Sequence, residues 1–311
     1  MKPRRDVVGS GRVGEEALPP GRKVDPNHAS PLPVRLGASR ALREHWPEYL
    51  IEAVGLGIIM LVSASVAVVA QTLLPAAWPP LVRRMVQGLV IAGTGASLVY
   101  SPWGMRSGAH FNPSVTLTFL VLGRVRLIDA AYYMAFQVIG GVAGISIAGL
   151  LLGSLLRDPP TLWIVTRPGA QGALVALVAE FVVAFVAMAT ILVTTALPGV
   201  SKFTGALVAA LVFLFISFES PLSGFSMNPA RSFGSAAVSG RWTAFWIYVL
   251  APPSGMLAAA LLKRSLRWAP SSNCAKLFRN TSQRCIHCGY TPTPGAEPAD
   301  LDRRCKIENF R

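Results

Sequence analysis

Two short stretches carry most of the chemistry available to this chain. They are Ser107-Gly108-Ala109-His110-Phe111-Asn112-Pro113-Ser114 and Ser223-Gly224-Phe225-Ser226-Met227-Asn228-Pro229-Ala230. A lone Asn-Pro commonly just starts a turn. Two of them, each with the same preceding Ser-Gly and each opening an apolar stretch, are a repeated device. Asparagine is a good helix N-cap, and proline suits the first turn because its missing N–H is not needed there. Each box therefore begins a helix, and the glycines before it let the loop backbone pack closely and turn its carbonyls. Arg231 follows the second box inside an otherwise apolar segment, where a guanidinium is expensive and is functional by default. A surface arginine on a loop is the plainer reading, and its position inside the motif speaks against it. Glu52 and Glu180 are each nearly the only charge in a long apolar segment. As proton relays they would point to a coupled transporter. No convincing nucleophile–base set stands in the apolar body, so an enzyme finds no support and no cofactor is implied.

The four cysteines, Cys274, Cys285, Cys288 and Cys305, all lie beyond the last apolar stretch. Cys285-Ile286-His287-Cys288 has the spacing of half a zinc site, and a complete site needs outlying ligands such as Cys274 or Cys305. There is no second Cys-x-x-Cys. In a reducing compartment disulfides are disfavoured, and plain thiols in a flexible tail are the simpler reading.

The elements that must position these residues follow from composition. The chain has 311 residues, of which 52% are hydrophobic and only 14% charged, against about 25% charged in a soluble domain. Residues 1–46 and 269–311 are polar and basic, whereas 47–268 are dominated by apolar runs. The reading is a disordered basic arm (1–46), a membrane body (47–268) and a Cys-containing tail (269–311), with no cleavable signal peptide evident. A net charge of +14 next to membrane spans is explained by an anionic lipid surface without invoking nucleic acid. A helix needs ~20 apolar residues to cross the hydrocarbon. Six stretches reach or approach that length: Tyr49–Leu74, Met85–Tyr100 with its flanks, Ile128–Leu156, Ala170–Leu197, Phe203–Phe218 with its flanks, and Trp242–Leu262. Asn112–Leu122 and Asn228–Val238 are too short to span, so they are expected to be re-entrant.

Of the 29 lysines and arginines, only Arg83, Arg84, Arg157, Arg167, Arg231 and Arg241 fall on the side away from the chain ends. This bias puts both termini in the cytoplasm. The chain also repeats itself, over about 47–156 and 170–268. Glu52 pairs with Glu180, the two boxes pair, and Gln137-Val138-Ile139-Gly140 pairs with Pro252-Pro253-Ser254-Gly255. Three spans per half invert the second copy, and inverted repeats place a transport site near the midplane where broken helices meet. Irregular backbone at that depth must be buried in protein or line a water-filled cavity. Gly140, Gly144 and Ala148 form a small-residue row suited to close helix contact.

Residues 49–262 resemble the aquaporin, or major intrinsic protein, family. Ser-Gly-Ala-His-Phe-Asn-Pro-Ser-Val-Thr (107–116) and Met-Asn-Pro-Ala-Arg-Ser-Phe-Gly-Ser-Ala (227–236) carry the likeness. The resemblance implies an all-α membrane protein of six transmembrane helices plus two re-entrant half-helices in an inverted repeat. It also implies a homotetramer in membrane lipid, with a passive pore for a small neutral permeant in each subunit. Asn112 and Asn228 would donate to a passing oxygen, and the carbonyls of Gly108, Ala109, His110, Gly224, Phe225 and Ser226 would accept from it. Glu52 and Glu180 would hold the loop backbone, and His110 would be a packing histidine. Arg231 stands at the family's selectivity arginine, and alignment adds Gln87, Ile216 and Phe225. The sequence departs from the water-selective pattern, which has an aromatic and a histidine where Gln87 and Ile216 stand. The first box ends in Ser114 rather than alanine, and the loop 101–105 is longer than usual. Ser232 after the arginine, where glycerol channels typically place aspartate, favours water. Glycerol, urea and ammonia stay open as alternatives.

Overall fold

The computed structural model describes residues 37–197, 199–266, 274–278 and 283–289. Residues 1–36 of the expected arm and Cys305 lie outside this set. Residues 38–46, read as part of that arm, are instead the first turns of α1 (Ala38–Val68). Their polar side chains alternate with Ala41 and His45, which are buried, so this segment continues the helix beyond the apolar run. It is followed by a π turn, Val69–Leu73.

α2 (Pro80–Tyr100) starts on a proline in its first turn. A short α3 (Pro102–Ser107), capped by Ser101 Oγ on the Gly104 N–H at 3.0 Å, absorbs the extra loop residues. The half-helix α4 (Pro113–Val121) follows, and then α5 (Leu127–Leu152) closes the first half. In the second half come α6 (Ala173–Thr194) and α7 (Thr204–Leu214), the latter running on through a π turn at Phe215–Glu219. The second half-helix is α8 (Pro229–Ser239), and α9 (Phe245–Leu266) is the last long helix.

Among the described residues, five helical stretches are long and apolar enough to cross a membrane. The stretches are 38–73, 127–152, 173–194, 201–223 and 245–266. α2 has the length, with 21 residues, but Arg83, Arg84 and Gln87 in its first turns dilute its hydropathy. Large apolar side chains such as Leu150, Leu174 and Leu89 stand exposed on the outside (78%, 73% and 66%). An exposed apolar belt of this kind suits contact with lipid.

The two halves are pinned by equivalent helix crossings. A Cβ on Gly140 of α5 would sit 2.0 Å from the Ala53 carbonyl of α1, and one on Gly144 would sit 2.3 Å from the Gly57 carbonyl. In the second half, a Cβ on Gly255 of α9 would sit 2.3 Å from the Phe181 carbonyl of α6. Ala53 and Phe181 each follow the buried glutamate of their helix, so the inverted repeat seen in the sequence is also a repeat of backbone contact. The glycine row is thus spent inside the chain, where the absence of side chains lets two backbones meet.

Candidate functional site

Each half-helix is fixed by its own asparagine. Asn112 Oδ1 accepts from the Ser114 N–H at 2.8 Å, and Asn228 Oδ1 accepts from the Ala230 and Arg231 N–H groups at 3.1 and 3.3 Å. Pro113 and Pro229 occupy the first helical turns. The amide nitrogens reach across the repeat. Asn112 Nδ2 donates to the Met227 carbonyl at 2.7 Å, and Asn228 Nδ2 donates to the Phe111 carbonyl at 2.8 Å. Each –NH2 has a second hydrogen beyond that bond. The two half-helix N-termini therefore meet head to head, each carrying roughly +0.5 charge.

The loops leading to the boxes hold non-glycine residues in the left-handed region, namely Ala109 (φ 57°) and Phe111 (φ 45°) in one, Phe225 (φ 47°) and Met227 (φ 55°) in the other. Such a conformation costs about 1–2 kcal/mol per residue, and it persists because the surroundings over-determine it. Glu52 Oε1 accepts from Ser107 Oγ (2.7 Å) and the His110 N–H (3.1 Å), and Oε2 accepts from the Phe111 N–H (2.6 Å). Glu180 accepts from Ser223 Oγ (2.9 Å), the Ser226 N–H (2.6 Å) and the Met227 N–H (2.7 Å) in the same way. With its N–H groups held inward by a carboxylate, each loop has carbonyls left to face the opposite side.

Sequence reasoning missed the next layer of support. Tyr133 Oη donates to the Ser107 carbonyl at 2.7 Å, and Tyr248 Oη donates to the Ser223 carbonyl at 2.5 Å. Both tyrosines lie four residues before a matched pair, Gln137 and Pro252, so extending the repeat alignment by one turn would have found them. Gln137 Nε2 donates to Glu52 Oε2 at 2.8 Å. Glu219, in the π turn, lies within hydrogen-bond distance of the same Ser223 Oγ and is a second carboxyl group beside Glu180. No periodicity marks it.

One cavity of about 240 Å³ joins these parts. Gln87, Ile216, Phe225 and Arg231 share its wall with Asn112 and Asn228. Gly88 makes the Gln87–Ile216 neighbourhood possible, since a Cβ there would lie 3.0 Å from the Phe213 carbonyl and 3.4 Å from Ile216 Cβ. Arg84 Nε ties α2 to the π turn through the Ser217 carbonyl at 2.9 Å. Arg231 Nη1 is buried and has no hydrogen-bond partner among the described residues.

Where Ala109 and His110 line the cavity, part of the tail is built into the wall. The Leu277 N–H donates to the Gly108 carbonyl at 3.1 Å. His110 bridges Thr116 Oγ1 (3.1 Å, through Nδ1) and the Ala275 carbonyl (2.8 Å, through Nε2), with Phe119 stacked on its ring. His287 is also stacked with His110, with ring centroids 5.7 Å apart. Burial, and then the neighbouring His110, pushes His287 down to about 3, so its ring is neutral. The flexible tail expected from the sequence is packed over 274–278 and 283–289, and Cys274, Cys285 and Cys288 are buried together.

The family model described as "Major intrinsic protein" matches residues 40–263. Aquaporin NIP1-4 of Oryza sativa subsp. japonica is 38% identical over 176 residues, covering 56% of this chain and 62% of that one. Probable aquaporin NIP4-2 of Arabidopsis thaliana is 32% identical over 193 residues, covering 60% of this chain and 66% of that one. The chain thus spans about three fifths of the length of such relatives. Among solved structures, the aquaglyceroporin from Plasmodium falciparum has a TM-score of 0.59 at 16% identity, covering 72% of this chain and 97% of that one, a likeness of fold. With the family model spanning the whole membrane body and both boxes, the chain belongs to the major intrinsic protein family.

Proposed function

We propose that this protein is a passive membrane channel, not an enzyme, and that its main permeant is water. The observation that carries this reading is the pair of asparagine-capped half-helices sharing one cavity with Arg231. Amide donors at the centre and carbonyls along the loops offer a water molecule successive partners. Two converging positive dipole ends and a guanidinium oppose cations and protons. Glu52 and Glu180 have their oxygens taken up by loop N–H and hydroxyl groups, which supports a structural role over a proton relay.

A second reading, passage of small neutral solutes such as glycerol, urea or ammonia, is favoured by Ile216 and Phe225. They give the cavity an apolar wall beside the polar Gln87 and Arg231, and a polyol has both kinds of surface. One structural neighbour is named an aquaglyceroporin. Stopped-flow shrinkage of proteoliposomes decides between them. Fast osmotic shrinkage with a low activation energy, against empty liposomes, supports water. Equal water flux with accelerated re-swelling in glycerol or urea would replace it with the solute reading.

The charge bias supports placement in a cell membrane with both termini cytoplasmic. A terminal tag digested by protease only in inside-out vesicles is the expected result. The family likeness supports a homotetramer with one pore per subunit, which mass measurement in detergent would test.

A further inference from the structure

Beyond the permeation path, the three tail cysteines form a compact cluster that the pore does not use. The ligand atoms of Cys274, Cys285 and Cys288 all lie within 4.8 Å of one another. Cys274 Sγ and Cys285 Sγ are 3.7 Å apart. That separation is far beyond the ~2.05 Å of a disulfide. It matches the edge, about 3.8 Å, of a tetrahedron with metal–sulfur bonds of about 2.3 Å. The Cys285–Cys288 turn is closed by the Gly289 N–H on the Cys285 carbonyl at 3.0 Å, with Gly289 at φ 75°. This turn presents two sulfurs to one point, and Cys274 arrives from a separate segment. All three residues are at most 7% exposed and form one buried cluster.

The segment that begins at Cys274 is the one built into the cavity wall. Besides the Leu277 N–H on the Gly108 carbonyl, Phe278 packs edge-on against Tyr100 at 5.0 Å. Lys276 Nζ donates to the Arg284 carbonyl at 2.6 Å. Arg284 in turn pairs with buried Glu48 of α1 at 3.0 Å. Leu277 lines the cavity together with Val99 and Gly205. The backbone carbonyl that this reading of the channel assigns to a passing water is therefore occupied by the tail, and an apolar side chain stands beside it.

We propose that Cys274, Cys285 and Cys288 bind a thiophilic divalent cation, zinc by its ligand chemistry, and that the bound ion clamps residues 274–278 as a plug in the pore mouth beside Gly108. Thiolate sulfur selects zinc over the hard cations. A cytoplasmic, reducing location keeps the thiols available for it. Cys305 lies outside the described residues; the three sulfurs supply three corners of the tetrahedron, and a water completes the fourth. Loss of the ion frees the two cysteine segments from each other, releases the Gly108 carbonyl and opens the mouth. The gating half of this proposal rests on the channel reading above, whereas the site itself does not.

The test uses the untagged full-length protein, purified in reducing buffer and loaded with zinc. Elemental analysis should find one zinc per chain, and Cys285→Ser and Cys274→Ser should each lower zinc affinity by about tenfold or more. Trypsin cleavage after Lys276 and Arg284, read by mass, reports release of the tail without any permeation. Both sites should be protected with zinc and cut after chelation. Osmotic water permeability of proteoliposomes should rise about fivefold or more on chelation, the lower end of ordinary coupling between sites. Leu277→Ala should raise it with zinc still bound, which covers the case in which the cysteine variants fold poorly. Substoichiometric zinc after loading, or unchanged affinity in both cysteine variants, would overturn the site. Stoichiometric zinc with cleavage and permeability both indifferent to chelation would overturn the clamp. If cleavage follows zinc while neither water nor glycerol crosses any preparation, the channel reading falls and the metal clamp stands.

Discussion

At the scale of single residues, the arrangement separates side chains that face the cavity from those that hold its walls. Arg231 belongs to the first group, because its Nη1 is buried without a protein partner among the described residues. Replacing it with valine removes a positive charge and shortens the side chain on the cavity wall. Glycerol permeation of the Arg231→Val channel should rise about tenfold, equivalent to about 1.4 kcal/mol of barrier, as read by re-swelling in stopped flow. An unchanged solute profile would remove Arg231 from the filter. Glu180 belongs to the second group, with two loop N–H groups and one hydroxyl donating to it. In Glu180→Gln, one acceptor oxygen becomes an amide donor facing those N–H groups. Each stranded donor costs about 1–3 kcal/mol, so the thermal unfolding midpoint in detergent should drop clearly. A proton relay predicts the opposite pattern, in which Gln preserves stability and abolishes only a coupled flux.

At the scale of helices, the fold rests on places where two backbones touch, and these divide into tolerant and intolerant positions. A Cβ on Gly144 would lie 2.3 Å from the Gly57 carbonyl, which is main chain and cannot swing aside, whereas Gly93 has open space around it. Gly144→Ala should destabilise the protein by about 1–3 kcal/mol, and Gly93→Ala should be neutral or slightly stabilising. Equal midpoints for the two in thermal unfolding would contradict the α1–α5 crossing. The Gly140–Gly144 spacing marked a close helix contact in the sequence without naming α1 as its partner, and the half-helices were visible as the paired boxes, because both signals depend on local residue type and repetition. The start of α1 was not legible, since residues 38–46 are too polar to register as a span yet still bury Ala41 and His45. Nor was the tail's docking. Ala275 and Leu277 are held through their own backbone, the Ala275 carbonyl by the His110 ring and the Leu277 N–H by the Gly108 carbonyl, across more than 160 residues, and backbone groups of the tail leave no signature in its side-chain pattern. The cysteine spacing suggested half a metal site, but only the folded chain brings Cys274 to the other two.

At the scale of the whole molecule, the two halves are charged like opposed magnets with their positive ends together. Each half-helix N-terminus contributes roughly +0.5, so about one full positive charge is focused where Asn112 and Asn228 cross, with Arg231 on the same cavity wall. Neither half alone would supply this field, because it arises from the inversion that turns α8 to face α4. On the proposed channel reading, that field opposes a hydronium or alkali cation at the centre, while a neutral molecule meets only donors and acceptors. Proteoliposomes should therefore carry water faster than empty vesicles yet show the same proton influx under an imposed potential. Asn228→Asp keeps the oxygen that caps the Ala230 and Arg231 N–H groups and adds a negative charge at the crossing point. It should make proton or cation leak measurable, with assembly confirmed by size-exclusion profile. An assembled variant as tight to protons as the original would place the barrier elsewhere, most directly at Arg231, and the Arg231→Val channel would then carry the leak.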